Sequence, residues 1–320
     1  MKLLITGGAG FIGSNFIRYI LNKYPDYKII NLDKLTYCGN LENLRDIENN
    51  QHYSFIKGDI CNKKIVEQLV SRQPDVIINF AAETHVDRSI MGAQDFIKTD
   101  ILGTQTLLEA VKKYSIPKYV QISTDEVYGS IKKNSFTEQS PLRPNNPYSS
   151  SKAGADLMVR AYQKTFGLPV LITRSSNNFG CWQYPEKLIP LFVTNLLEDK
   201  KVPVYGDGQQ VRDWLYVLDN CEGIDYVLHH GQIGEIYNIG SSNERTNLEI
   251  TKIILDQLDK DKNQIEHIKD RPGHDRRYSL NSNKLRNLGW QPRYEFEEAM
   301  AKTVQWYKDN PQWWHPLKSE

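Results

Sequence analysis

The stretch "TGGAGFIG", Thr6 to Gly13, decides the fold. It sets Gly7-x-x-Gly10-x-x-Gly13 directly behind the apolar run "KLLIT" (2–6) and at the start of a helix-patterned segment. Glycines there allow a tight turn and close backbone approach, and a helix N-terminus favours a pyrophosphate. Alone, such a pattern is only a turn. Here the next apolar run, "KIINL" (28–32), is followed by Asp33, twenty residues after Gly13. An acid at that place suits the hydroxyls of an adenosine ribose and disfavours a 2′-phosphate. Lys34 follows and weighs the other way, yet NAD is preferred over NADP.

Working outward, further short apolar runs occur at "YSFIKGD" (53–59), "DVIINFA" (75–81), "KYVQIST" (118–124) and "PVLITRS" (169–175). Longer stretches with apolar residues at helical spacing separate them, such as 96–114. Strand-helix alternation predicts an α/β protein with a Rossmann-type doubly wound parallel sheet, which binds ligands at the carboxyl ends of its strands. Past residue 175 the composition turns to Pro, Asn, Gly and Trp, as in "SNNFGCWQYPEKLIP" and "DRPGHDRRY". The expected organisation is a dinucleotide-binding half over 1–175, rejoined by about 213–240, and a smaller loop-rich α/β lobe over 176–320.

Lys+Arg 40 against Asp+Glu 39 leaves a net charge of +1, so overall charge points to neither nucleic acid nor membrane. Cys38, Cys61, Cys181 and Cys221 form no CxxC, and His85 with Asp87 lacks a third ligand, so no metal is expected. No apolar run approaches the roughly 20 residues of a membrane span. "MKLLITGGAG" enters a strand without a signal-peptide layout, and a cytoplasmic protein is expected.

Two further stretches carry chemistry. In "YSSSK", Tyr148 and Lys152 stand at i and i+4 on one helix face. A lysine beside a tyrosine is expected to lower the phenol's pKa, giving a base that takes a hydroxyl proton while hydride leaves the same carbon. In "STDEVYG" (123–129) a strand ends on Thr124 and the adjacent carboxyls of Asp125 and Glu126. Adjacent carboxyls that cannot both ionise easily supply one acid and one base. Their ordinary reading is a solvated loop, which a place at a strand's carboxyl end argues against.

The glycine turn, Asp33, Thr124 and Tyr148-x-x-x-Lys152 together resemble the extended short-chain dehydrogenase/reductases. "NLDKLTYCGNLENL", "AAETHVDRSI", "STDEVYG", "SNNFGCWQYPEKLIP", "GDGQQVRDWLYV" and "DRPGHDRRY" narrow the resemblance to the dTDP-glucose 4,6-dehydratase family, from Met1 to the "WWHPLK" tail. The resemblance implies a tightly held NAD, a dTDP-glucose-type nucleotide-sugar and a homodimer built from the long helices 96–114 and 148–166. Ile101, Leu107, Leu108 and Val111 are its expected contact residues. It also implies oxidation at C4, loss of water across C5–C6 and hydride return to C6. In that scheme Glu126 takes the C5 proton and Asp125 protonates the leaving hydroxyl; relatives that only epimerise or oxidise carry small or hydroxyl residues there.

By the same resemblance Phe11, Ile12, Asp33, Lys34, Leu35, Thr36, Asp59, Ile60, Ala81, Ala82, Glu83, Thr84, His85, Thr99, Tyr148, Lys152 and Asn178 line the cofactor. Thr84, Thr124, Asn177, Lys187, Leu188, Pro203, Val204, Tyr205, Arg212, Asn247, Asp270, Arg271, Pro272, Gly273 and His274 hold the nucleotide-sugar. Arg212, Arg271 and His274 also suit a diphosphate on chemical grounds. Departures from the family pattern are Phe179, Cys181 and Trp182 for Tyr, Pro and a second aromatic, Asp100 for Asn and Thr84 for Ser. Alternatives are a 4,6-dehydratase of a UDP- or CDP-sugar, an NAD-dependent nucleotide-sugar epimerase, and a non-catalytic NAD-binding regulator. The pathway served, whether to rhamnose, an amino sugar or an antibiotic sugar, is not written in the sequence.

Overall fold

Six apolar runs become parallel strands in a computed structural model that describes residues 1–318. They are β1 (Lys2–Thr6), β2 (Lys28–Asp33), β3 (Tyr53–Lys57), β4 (Val76–Asn79), β5 (Tyr119–Thr124) and β6 (Val170–Ser175). Further on come β7 (Asn177–Phe179), β8 (Val202–Tyr205), β9 (Val211–Tyr216), β10 (Ile236–Ile239), β11 (Glu244–Thr246) and β12 (Ile265–Ile268). The main sheet has seven strands in the order β10-β6-β5-β4-β1-β2-β3, all parallel. Its central strand β4 and the neighbouring β1 lie where the chain reverses its direction of winding, the switch point at which such sheets open a crevice.

Successive side chains of a strand point to opposite faces, so each strand feeds two cores. Leu3 and Ile5 pack with Phe16, Ile17 and Ile20 of the helix Phe11–Lys23 and with Ile224 and Val227 of the helix Val217–His230. Leu4, between them, packs on the other face with Leu107, Leu108 and Val111 and with Val159 of the helix Pro147–Phe166. Those three residues of 96–114 are at most 1% exposed, so they are core and not contact surface for a second subunit. On the segments 96–114 and 148–166 the exposed large apolar residues are Ile97, Leu102, Leu157 and Phe166, each about half exposed.

The spacing over 96–114 predicts one continuous helix. The structure instead has a π-helical stretch, Ile97–Gly103, running into an α-helix, Thr104–Tyr114. Within 212–230, β9 pairs with β7 and antiparallel β11 in a small three-stranded sheet, while the helix that follows crosses to Phe11–Lys23. β8 and β12 form a two-stranded parallel ribbon beside it. No helix among the described residues is long and apolar enough to cross a membrane.

Candidate active site

A cavity of about 450 Å³ runs along the carboxyl ends of β1, β4 and β5. Its first wall is mostly backbone. Gly7 has φ +73°, and a Cβ there would stand 2.4 Å from the Ala81 amide nitrogen. At Gly13 a Cβ would meet the Gly7 carbonyl at 2.4 Å. The turn therefore closes onto the helix Phe11–Lys23, and it is the first-turn amides of that helix that can face a phosphate. Asp33, buried at the end of β2, accepts from the Ala9 amide at 2.9 Å and the Leu35 amide at 2.8 Å. Lys34 is paired with Asp59 at 2.9 Å, which takes its ammonium away from a 2′-phosphate role.

The floor is the turn after β5. Thr124 caps a short 3₁₀ turn, Asp125–Tyr128, by accepting from the Glu126 amide at 3.2 Å. That cap sends the two neighbouring carboxyls into different surroundings. Asp125 is 1% exposed; one oxygen accepts from Thr124 Oγ1 at 3.1 Å and the other, Oδ2, has no partner. Burial first, and then the charge of Glu126, push its pKa well above the ordinary carboxylate range. Glu126 is half-buried, with Ser149 Oγ donating to Oε2 at 3.1 Å and Tyr278 Oη reaching the same atom at 3.5 Å.

Behind the floor, Tyr128 donates to Asn238 at 2.8 Å and accepts from Arg174, whose guanidinium is paired with buried Asp156 at 2.8 Å. This buried network fixes the 3₁₀ turn against β6, β10 and the helix Pro147–Phe166. That helix begins at Asn146, whose side chain accepts from the Ser149 amide at 2.9 Å, with Pro147 in its first turn. The cap places Tyr148 and Lys152 in the cavity wall beside Thr124.

Lys152 donates to the Ile122 carbonyl at 2.8 Å. The phenol of Tyr148 is pushed well above 10 by burial first, then by Glu126, Asp100 and Asp125. The expectation of a lowered phenol pKa is thereby corrected for the protein on its own. Burial and three carboxyls on neighbouring segments outweigh the lysine four residues away.

The second wall is built of side chains from separated segments. Arg212, 5% exposed, donates to the Asp275 carbonyl at 3.0 Å and lies 4.3 Å over the Tyr278 ring. Tyr278 in turn donates to Asp275 at 2.5 Å. Arg271 reaches Asp87 at 3.4 Å, and its Nε is buried without a partner. His274 is held by Asp270 at 2.6 Å; burial and then Arg271 keep its pKa below the usual imidazole value. Lys187 donates to the Thr84 carbonyl at 2.6 Å, bringing together loops more than a hundred residues apart.

Most of the residues singled out from the sequence line this one cavity, among them Phe11, Ile12, Thr36, Ile60, Thr99, Asn177, Leu188, Pro203, Val204, Tyr205 and Asn247. Leu35, Asp270, Pro272 and Gly273 do not. Leu35 packs into the core, Asp270 stands behind His274, and Pro272 and Gly273 are exposed at the loop tip. Phe179, Cys181 and Trp182 are also outside it. Phe179 is core against Tyr216 and Phe296, Trp182 lies under Arg18 at 3.8 Å, and burial pushes the Cys181 thiol up to about 12.

Tyr37 and Glu186 were missed. Tyr37 donates to Glu186 at 2.9 Å, and Glu186 sits 3.5 Å from His85, clasping three loops at the mouth. Glu186 adjoins Lys187 in "YPEKLIP", a neighbour signal that could have flagged it. No group of three metal-ligating side chains occurs among the described residues.

The cavity suits a dinucleotide lying against a second polar ligand. Buried acceptors without partners on Asn177, Asn178 and Asn247 belong to its lining. Comparison with known proteins agrees. A family model described as GDP-mannose 4,6 dehydratase matches residues 4–303. The chain is 49% identical to a dTDP-glucose 4,6-dehydratase of Streptomyces niveus, over 100% of this chain and 96% of that protein. It is 52% identical to the low-salt glycan biosynthesis protein Agl12 of Haloferax volcanii, over 96% and 98%. Among solved structures, the dTDP-glucose 4,6-dehydratase DesIV of Streptomyces venezuelae, with NAD and a second ligand bound, superposes with a TM-score of 0.97 at 51% identity, covering 99% and 100% of the two chains. A UDP-glucuronic acid 4-epimerase of Bacillus cereus keeps the architecture (TM-score 0.91, 97% and 99% covered) at only 28% identity. The chain belongs to the nucleotide-sugar dehydratase family described by the GDP-mannose 4,6 dehydratase model, and within it to the dTDP-glucose 4,6-dehydratases.

Proposed function

We propose that this chain converts dTDP-glucose to dTDP-4-keto-6-deoxy-glucose, with NAD as its cofactor. The Asp125–Glu126 turn carries the reading. An epimerase needs no such pair, whereas dehydration needs one group that accepts a proton and one that donates it. The glycine turn, Asp33 and the loop Ala81 to His85 would hold the dinucleotide, and Arg212, Arg271 and His274 the diphosphate of the sugar nucleotide. NAD, when bound, stores a hydride between C4 and C6, so the reaction has no net redox change.

The chain's own residues move the protons. Tyr148 takes the proton of the C4 hydroxyl, with Thr124 and Lys152 orienting it. The ketone formed at C4 makes the C5 proton acidic, because the electron pair left behind delocalises into the carbonyl. Glu126, steadied by Ser149, accepts that proton. Asp125, kept protonated chiefly by burial, donates to the C6 hydroxyl, which departs as water while the C5 electron pair forms the C5–C6 double bond. Glu126 then returns its proton to C5 as hydride arrives at C6.

Heavy water separates the two roles. Glu126→Gln should still form a 4-keto sugar but fail to exchange the C5 proton. Asp125→Asn should allow that exchange yet lose water slowly, each variant being about 10²–10⁴-fold down in its own step. Normal water loss in both variants would sink the reading. Incubation with dTDP-, UDP- and CDP-glucose, read by mass spectrometry for loss of water, tests the nucleotide. The exposed Ile97, Leu102, Leu157 and Phe166, on neighbouring helices, support a homodimer; a monomer in light scattering at micromolar concentration would contradict it.

A further inference from the structure

Asp100 is the buried carboxyl that the proposed chemistry leaves unused. It is 2% exposed and lies in the π-helical stretch Ile97–Gly103, one residue beyond the wall residue Thr99. π-Helical turns are rare and recur at functional sites. Asp100 Oδ1 accepts from the Glu83 amide at 3.0 Å, on the loop that follows β4 along the dinucleotide wall. Oδ2 accepts from Ser151 Oγ at 2.5 Å, and Ser151 stands between Tyr148 and Lys152 on the catalytic helix. One carboxyl thus joins the dinucleotide wall to the helical turn that carries the tyrosine and the lysine.

We propose that Asp100, held by the Glu83 amide and by Ser151 beneath the Tyr148–Lys152 pair, is a positioning residue whose buried charge acts on the Tyr148 phenol. The ammonium of Lys152 is bonded to the Ile122 carbonyl rather than to Asp100, so the carboxyl is not neutralised by a direct ion pair. Burial is the largest influence on Asp100 and raises it to about 6, against the favourable charge of Lys152 and the bond from Ser151. It is therefore an anion under neutral and alkaline conditions. The charged and titratable groups facing Tyr148 are Glu126 and Asp125 from the turn after β5, Asp100 from the π turn, and Lys152 from its own helix, with the Thr124 hydroxyl beside them. Facing Asp100 are Lys152, Ser151 and Glu83, whose own carboxyl is raised to about 6 by burial and then by Asp100. An anion near a buried phenol strengthens it as a proton acceptor and delays its ionisation to higher pH.

Asn at this position separates charge from contact. Its oxygen can accept from the Glu83 amide and its NH₂ can donate to Ser151 Oγ. Ser151 then donates to the Tyr148 carbonyl, already 2.8 Å away. Ser151→Ala does the reverse, removing the contact and keeping the charge. The role assigned to Asp100 rests on Tyr148 being the proton acceptor, so the first readout is independent of turnover. Tyrosinate absorbance is titrated as the difference between proteins with and without Tyr148, in the Asp100→Asn and Ser151→Ala backgrounds.

The expected result is that Asp100→Asn moves the Tyr148 titration to lower pH and Ser151→Ala leaves it at the wild-type position. In stopped-flow formation of reduced nicotinamide, the acid limb of Asp100→Asn should move the same way while the alkaline plateau falls several-fold, a weaker base being a slower one. A merely structural role would lower the plateau without moving the limb. An unchanged phenol titration in Asp100→Asn, or a shift in Ser151→Ala as large, overturns the proposal. A shifted titration with an unmoved acid limb would leave the effect on the phenol standing and instead count against Tyr148 as the base.

Discussion

The two walls of the crevice do similar work with different material. On the wall proposed for the dinucleotide the site is mostly backbone of one contiguous turn, and a few neighbouring side chains hold it: Asp33 the Ala9 and Leu35 amides, Asn31 the Gly8 amide and Asn43 the Ala9 carbonyl. On the wall proposed for the sugar nucleotide almost everything is side chain. Arg212, Tyr278, Asp275, Arg271 and Asp87 come from segments up to 191 residues apart and hold one another in place. A backbone site tolerates side-chain change but not a Cβ in the wrong place. A side-chain site can be lost one group at a time. The two walls should therefore fail separately.

The largest expected effect is on the backbone wall. Gly7→Ala forces an alanine to φ +73°, which costs about 1–2 kcal/mol, and drives its Cβ to 2.4 Å from a main-chain nitrogen that cannot swing aside. NAD(H) released on denaturing the purified protein should fall by at least about tenfold, the equivalent of 1.4 kcal/mol. Calorimetric binding of dTDP should be unchanged. Equal weakening of both ligands would break the comparison.

A smaller effect is expected from the other wall. Arg212→Met keeps length and apolar bulk over the Tyr278 ring but removes the fixed cation. Charge-assisted hydrogen bonds are worth about 1.5–3 kcal/mol, so KM for dTDP-glucose should rise about 10–100-fold. The NAD(H) content of the protein should not change. A fall in kcat with KM untouched would move Arg212 from binding to chemistry and sharpen the contrast in a different direction.

The same contrast explains what could be read without coordinates. The glycine turn and Asp33 are local requirements of one backbone conformation, and five of the six strand runs, all but the edge strand β3, are largely buried, so each is written in a short contiguous segment. The π turn at 97–103 is not, because its apolar spacing is that of an ordinary helix, and neither its wider backbone nor the contacts of Asp100 with Glu83 and Ser151 show in that spacing. Leu35 and Asp270 belong to the right loops yet face away from the ligand side, a rotation that spacing cannot report. The Tyr148 phenol went the opposite way from its sequence expectation. The Lys152 spacing was visible, while the burial and the carboxyls of Glu126 and Asp100 came from other elements. Tyr37 and Glu186 meet only across the mouth of the crevice.

The smallest effect is expected far behind the dinucleotide wall, where side chains brace the helix that carries its glycine turn. Asp225 of the helix Val217–His230, with its side chain 2% exposed, accepts from Lys23 at 2.7 Å and Tyr24 at 3.1 Å, and His229 lies 2.9 Å from it. Burial pushes Asp225 up, but His229 and Lys23 hold it below the ordinary carboxylate range. The bond to Asp225 is the main cause that raises His229 above 6.5. A histidine whose folded value is raised contributes stability that is complete below its unfolded value and fades as pH climbs through the folded one. A cation in the last turn of a helix is worth about 0.3–1 kcal/mol. His229→Gln should therefore lower Tm by about 1–2 °C near pH 5.5, on the scale of a few degrees per kcal/mol, and by less near pH 8.5. Neither NAD(H) content nor KM for dTDP-glucose should move, because the brace touches neither wall. A Tm difference that grows toward alkaline pH would reverse the sign and remove His229 as the cation; a loss of bound NAD(H) would show that the backbone wall depends on the brace after all.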